Sequence, residues 1–205
     1  MRFTSRTVAF GLSAAASLAY LVFPAWAPSY PQIVLKGLSV TLLALVALQA
    51  DHRLLGLALL CSSAGDVLLA YGSRFFLGGL AAFLCAHLVY IALFVRRGPT
   101  RGHYAFSVFL LVYGVAFGAW LGPGLGALRI PVFCYIAAII AMVASAHRAN
   151  YRTPWVLRGA ILFLISDSLL GVNRFKTPIP FGGILVWITY YAGQCSITVG
   201  VLSDD

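Results

Sequence analysis

The chain contains no glutamate, and aspartate occurs only at positions 51, 66, 167, 204 and 205. Charged residues make up 9% of the whole against 61% apolar. A soluble domain needs far more polar surface than this, so the composition excludes one and points to a chain built into a membrane. The net charge of +9 does not make nucleic acid an expected partner. The basic residues stand one to three at a time between apolar runs, as membrane-flanking charges do. Cys61, Cys85, Cys134 and Cys195 lie in apolar segments without Cys-x-x-Cys or paired spacing, which argues against a disulfide framework or a thiolate metal site. There is no Gly-x-Ser-x-Gly elbow, no serine, histidine and acid set that reads as a triad, and no phosphate-cradling glycine loop.

What is present is apolar length. A membrane span needs about 20 predominantly apolar residues. On that measure the chain divides into eight, near 6–26, 32–50, 54–72, 75–95, 103–122, 128–146, 155–172 and 180–201. Short connections between them carry the breakers: Pro28 and Pro31, Gly72, Gly98-Pro99, Gly122-Pro123-Gly124, Thr153-Pro154, Pro178 and Pro180. Strands of a barrel would be about 10 residues long with alternating polarity, so these are helices. The expected fold is all-α, an integral membrane bundle of eight transmembrane helices forming a single transmembrane domain over 1–205. Arg2, Arg6 and the following apolar run resemble a signal peptide, with Ala25-Trp26-Ala27 as its cleavage site. The length of the run and the spans that follow at once favour an uncleaved first helix. Lysine and arginine number nine on the side of the N-terminus and five on the other, counting Lys36 with the latter, which places both termini in the cytoplasm.

Two of the five acids lie inside the spans. Asp66-Val67-Leu68-Leu69-Ala70 runs on to Arg74-Phe75, and Asp167-Ser168-Leu169-Leu170-Gly171 runs on to Arg174-Phe175. An aspartate in a bilayer-spanning helix costs about 2.5–3.5 kcal/mol on insertion scales and is a functional-site hypothesis by default. The two phrases are 101 residues apart, about half the chain, and read as two parallel four-helix halves. Counting along each span then puts both carboxylates at similar depth, with Arg74 and Arg174 about two turns further out. Each arginine is placed either to hold an anionic headgroup or to serve as an interfacial anchor.

Helical spacing supplies neighbours. Ser62 and Ser63 share a face with Asp66. Lys36, early in the second span, either reaches the carboxylate layer or snorkels to the interface. An aspartate paired with it stays ionised, whereas one without a cation holds its proton more readily. His87, with Tyr90 three residues on, is the only histidine placed away from a span end. Tyr190 and Gln194 share a face of the last span, and Tyr191 is beside them. Two aspartates and one histidine are too thin a set for a metal, and no cofactor is expected.

Taken together, Lys36, Gly65-Asp66-Val67-Leu68-Leu69, Phe83 with His87 and Tyr90, Ser166-Asp167-Ser168 with Asn173 and Phe175, and Thr189-Tyr190-Tyr191 with Gln194 resemble the lysoplasmalogenase (YhhN) family of eight-span membrane proteins. Lys36-Gly37 departs from the lysine–proline pair expected there. The resemblance implies hydrolysis of the vinyl ether bond of a lysoplasmalogen to a fatty aldehyde and a glycerophospho-base, with Asp66 and Asp167 catalytic. Lys36, Arg74, His87, Tyr90, Asn173, Arg174, Tyr190, Tyr191 and Gln194 are then the candidates for contact with a lysophospholipid substrate among the membrane lipids. Vinyl ether cleavage needs a carboxylic acid to protonate carbon and a second carboxylate to steady the cation or activate water, as in glycosidases. Asp167 is assigned as the acid and Asp66 as the ionised partner. Two other readings use the same residues: a proton-coupled small-solute transporter, and a lipid-binding scaffold without turnover. Headgroup preference and oligomeric state are left open.

Overall fold

The computed structural model describes residues 2–22, 30–100 and 104–204. Ala25-Trp26-Ala27, Pro28, Arg101 and His103 lie outside them. The described residues form eight α-helices: α1 Arg2–Val22, α2 Tyr30–Gln49, α3 Arg53–Ala70, α4 Phe76–Val95, α5 Ala105–Leu121, α6 Arg129–Arg148, α7 Trp155–Phe175 and α8 Gly182–Leu202. The protein is 86% helical, with no strands among the described residues, and all eight helices are long and apolar enough to cross a bilayer. Their outer faces are apolar as well. Val108, Phe109, Leu111, Val112 and Val115 are all more than half exposed on α5, which suits hydrocarbon as the surrounding medium.

The helix ends differ from the sequence reading where local chemistry decides them. α3 stops at Ala70 because Gly72 turns the chain at φ 102°, a conformation that L side chains avoid. α7 continues to Phe175, so Arg174 belongs to its last turn and does not lie beyond it, where its charge faces the negative end of the helix. α8 begins at Gly182, two residues later than expected. Phe181 adopts the left-handed conformation at φ 56° behind Pro178 and Pro180, and the Gly182 N–H donates back to the Ile179 carbonyl at 2.8 Å.

Contacts gather into two compact units, residues Met1–Tyr90 and Ile91–Asp205. The division falls within α4, close to the expected four-plus-four split.

In the first unit α2 is the central strut. Ser13 on α1 donates to the Ser39 carbonyl at 2.6 Å, and Arg6 donates to the Gln49 carbonyl, an end group of α2, also at 2.6 Å. α2 and α3 approach closely at Gly37, where an added Cβ would lie 2.6 Å from Val67 Cγ2.

In the second unit α7 and α8 are the tightest pair. A Cβ at Gly159 would sit 2.6 Å from the Gly193 carbonyl oxygen and 2.7 Å from the Ile197 nitrogen, so glycine is what allows backbone to meet backbone. At one end of this unit the buried carboxylate of Asp204 binds Arg97 at 3.3 Å and accepts from the Arg152 N–H at 2.7 Å. These contacts tie the α4–α5 and α6–α7 connections to the end of α8.

Candidate active site

Each unit contains one of the two intramembrane aspartates, twelve or thirteen residues into its helix. Each aspartate is met by a side chain from the helix that precedes its own.

In the first unit the Asp66 side chain is 3% exposed, and Lys36 Nζ lies 3.5 Å from its Oδ1. Lys36 is itself only 16% exposed, so it turns inward to the carboxylate and does not snorkel. The close approach at Gly37 explains the reach, because residue 37 neighbours the lysine and Val67 neighbours the aspartate. The departure from lysine–proline therefore fits here: α2 runs unbroken through Lys36-Gly37. The buried Gly37 carbonyl accepts from Ser63 Oγ at 2.8 Å and from Thr41 Oγ1 at 2.9 Å, which pins α3 to α2 one turn from Asp66. Gly65 leaves room for the Phe83 ring of α4, which an added Cβ would meet at 2.5 Å. His87 and Tyr90, further along α4, are both fully buried. Ser62 is buried on the Asp66 face. Arg74 stands exposed in the 3-10 turn Ser73–Phe75.

In the second unit Asp167 is half-buried, and the Tyr135 hydroxyl of α6 donates to its Oδ2 at 2.5 Å. The neighbouring Ser168 donates to the Leu164 carbonyl at 2.7 Å. Its single proton is then spent, so the Tyr113 hydroxyl, 2.7 Å away on α5, is the donor in their contact. On the other side Ser166 donates to the Val186 carbonyl of α8 at 2.9 Å. Three consecutive residues thus lock α7 to α6, α5 and α8, and Asp167 is held in a fixed frame. Tyr190 is buried edge-on against Phe163, with ring centroids 5.2 Å apart, and Tyr191 stacks on Trp187. Gln194 is fully buried on the Tyr190 face. Asn173 accepts from the Ile179 N–H at 2.9 Å, so its carboxamide oxygen serves the turn into α8, while Arg174 is exposed beside it.

Tyr135 and Tyr113 escaped the sequence reading. A signal for the first existed: Tyr135 is the only hydroxyl between Arg129 and Ala144, and it precedes Asp167 by 32 residues, much as Lys36 precedes Asp66 by 30.

Residues 31–201 match the family model described as YhhN family. The chain belongs to the YhhN family. Among its relatives, it is 38% identical over 158 residues to the lysoplasmalogenases of Mycobacterium bovis and Mycobacterium tuberculosis, covering 73% of this chain and 60% of each relative. It is 33% identical over 154 residues to the human lysoplasmalogenase TMEM86B, covering 73% of this chain and 64% of that protein. The chain therefore spans about 60% of the length of these curated YhhN relatives. No solved structure matches. With eight apolar helices and relatives of this kind, this YhhN protein is a multi-pass membrane protein.

Proposed function

We propose that this protein hydrolyses the vinyl ether bond of lysoplasmalogens, with Asp167 as general acid and Asp66 as the charge-balanced carboxylate. The observation that carries the reading is the contrast between the two aspartates. Asp66 faces an ammonium group, whereas Asp167 is held by a neutral phenol. The first pair keeps a carboxylate ion inside the membrane span without net charge. The second can hand over a proton while the phenol that donates to it steadies the negative charge left behind. The names of the relatives supply the bond; the residues supply the means to break it.

The reaction balances as a hydrolysis. Asp167 delivers its proton to the alkene carbon remote from the ether oxygen, giving an oxocarbenium ion next to that oxygen. As the proton leaves, negative charge grows on Asp167, and the Tyr135 hydroxyl already bonded to it strengthens in step. Asp66 takes a proton from the water that adds to the cation. The resulting hemiacetal collapses to a fatty aldehyde and a glycerophospho-base, and the proton returns to Asp167. Arg74 and Arg174, exposed at the ends of the two aspartate-bearing segments, are the groups suited to a phosphate.

Purified full-length protein in detergent is the test. Release of fatty aldehyde from a lyso-vinyl-ether phospholipid should fall to a small residual rate in both Asp66→Asn and Asp167→Asn. Groups that act in one reaction are not additive, so the double variant should lose no more than the worse single one. Near-native activity in both single variants overturns the two-carboxylate chemistry. A proton-coupled transporter, the other use of such aspartates, has no support among the named relatives. The nine-to-five excess of basic residues supports both termini lying in the cytoplasm. Reporter fusions at each end, active on the far side only, would reverse that orientation.

A further inference from the structure

The outer surface of the second unit holds a groove of about 350 Å³ between α5 and α6. Its floor is made of small residues, Gly114 and Ala119 among them, and its walls include Phe133, Ile136 and Ile140. The glycine matters to the shape, because a Cβ at position 114 would lie 2.8 Å from Ile140 Cγ1. One polar side chain joins this lining: Arg129, the first residue of α6, whose guanidinium stands over the Phe133 ring at 6.0 Å. The groove runs along α6 from Arg129 to Ile140, about 16 Å at the rise of a helix. It is at the small end of ligand pockets, and it combines a long apolar slot with a single cation at one end.

We propose that this groove binds a phospholipid with one hydrocarbon chain, the chain lying along α6 and the phosphate on Arg129. A planar guanidinium recognises phosphate oxygens by paired hydrogen bonds, and the ring beneath it holds it in place. The volume and the lone cation suit one chain and one phosphate. The depth is also right for the chemistry above, and this step rests on that reading. Tyr135, which holds Asp167, is six residues in from Arg129, about 9 Å along the same helix. An amphiphile anchored at Arg129 therefore carries the bonds nearest its glycerol at the depth of Asp167. The groove is a boarding site where the substrate is set to the correct depth.

A photoactivatable monoacyl phospholipid, with its reactive group near the chain end, tests this on the full chain in lipid nanodiscs. The label is expected on peptides of α5 and α6 that line the groove. Unlabelled lysophospholipid should compete, and a monoacylglycerol of the same chain, lacking phosphate, should not. Arg129→Gln should lower labelling about tenfold, the loss of one charge-assisted phosphate contact. Ala119→Trp, at an exposed position, should fill the slot and abolish it. Label spread evenly over the apolar surface, equal competition by diacyl phospholipid, or indifference to both variants overturns the proposal. Labelling of the groove by a protein that releases no aldehyde keeps this site and removes the activity. Aldehyde release with an unlabelled groove does the reverse.

Discussion

Replacing Lys36 by methionine isolates the ion pair that steadies Asp66. Methionine matches the length and apolar bulk of the lysine stem, so packing changes little and the charge is what is lost. The ammonium nitrogen is 3.5 Å from Oδ1, and the carboxylate is 3% exposed. At the effective dielectric that reproduces measured pairs, two charges at that distance attract by about 5 kcal/mol. Desolvating both groups offsets most of this, so the intact pair contributes little net stability. Losing one partner is different, because the other is left buried without compensation, at a cost of about 3–5 kcal/mol. Unfolding of the purified protein in detergent, followed by helical signal against denaturant, should therefore show Lys36→Met destabilised by that amount. Lys36→Met combined with Asp66→Leu should recover to within about 1–2 kcal/mol of the native protein. A cost under about 1 kcal/mol for Lys36→Met, or additive effects in the double variant, would refute the argument that the pair is desolvated and coupled.

Other substitutions probe the remaining steps. Gly159→Ala pushes a methyl group into the Gly193 carbonyl and the Ile197 nitrogen, and should cost about 3 kcal/mol or more; unchanged unfolding would show that α7 and α8 can part freely. Gly11→Ala meets nothing within 4 Å in the middle of α1 and should stabilise by about 0.5–1 kcal/mol, which the same unfolding curve reads. Asp204→Ala should cost about 2–3 kcal/mol, discounted for Arg97 being 31% exposed, and should loosen amide exchange around Arg152. Tyr135→Phe should lower kcat by about tenfold with KM nearly unchanged, since its hydrogen bond strengthens only as Asp167 gives up its proton; an effect on KM alone would make the phenol a binding group. The acid must carry its proton to act, so its titration appears as activity lost when pH rises, whereas the ionised partner's appears as activity lost when pH falls. If Asp167 is the acid, the residual activity of Asp167→Asn should lack the decline at high pH, and a decline that survives there would transfer the role to another group.

The helices were legible because each is a long apolar run closed by proline or glycine, and a bilayer asks for little else. Their ends were less so. Nothing in Phe181 announces a left-handed residue, and the extension of α7 to Phe175 depends on Asn173 satisfying the turn that follows. Lys36 was readable as a partner because a buried carboxylate demands a cation and the second span offers one. Tyr135 was passed over, since a tyrosine in an apolar helix carries no charge and usually means packing, and only its isolation and its 32-residue spacing from Asp167 marked it. The groove on α5 and α6 was out of reach for a different reason: it exists only through the way Gly114 and Ile140 meet, which no spacing in either helix specifies alone.

The two units use one device with two chemistries. In each, the helix before the aspartate contributes a donor, at a spacing of 30 residues in one case and 32 in the other. Had both donors been lysine, both carboxylates would be balanced as ions and neither would be suited to give a proton. Had both been tyrosine, two carboxyl groups would be held without any compensating charge, and an ionised partner for the cation would be costly to keep in the span. On the proposed mechanism, one lysine and one tyrosine divide the roles. The division predicts a swap: Tyr135→Lys should abolish turnover by balancing Asp167 as an ion, even in a protein that unfolds no more readily than the parent. If that variant keeps its activity, the charge contrast between the two aspartates does not assign the acid, and the assignment to Asp167 falls with it.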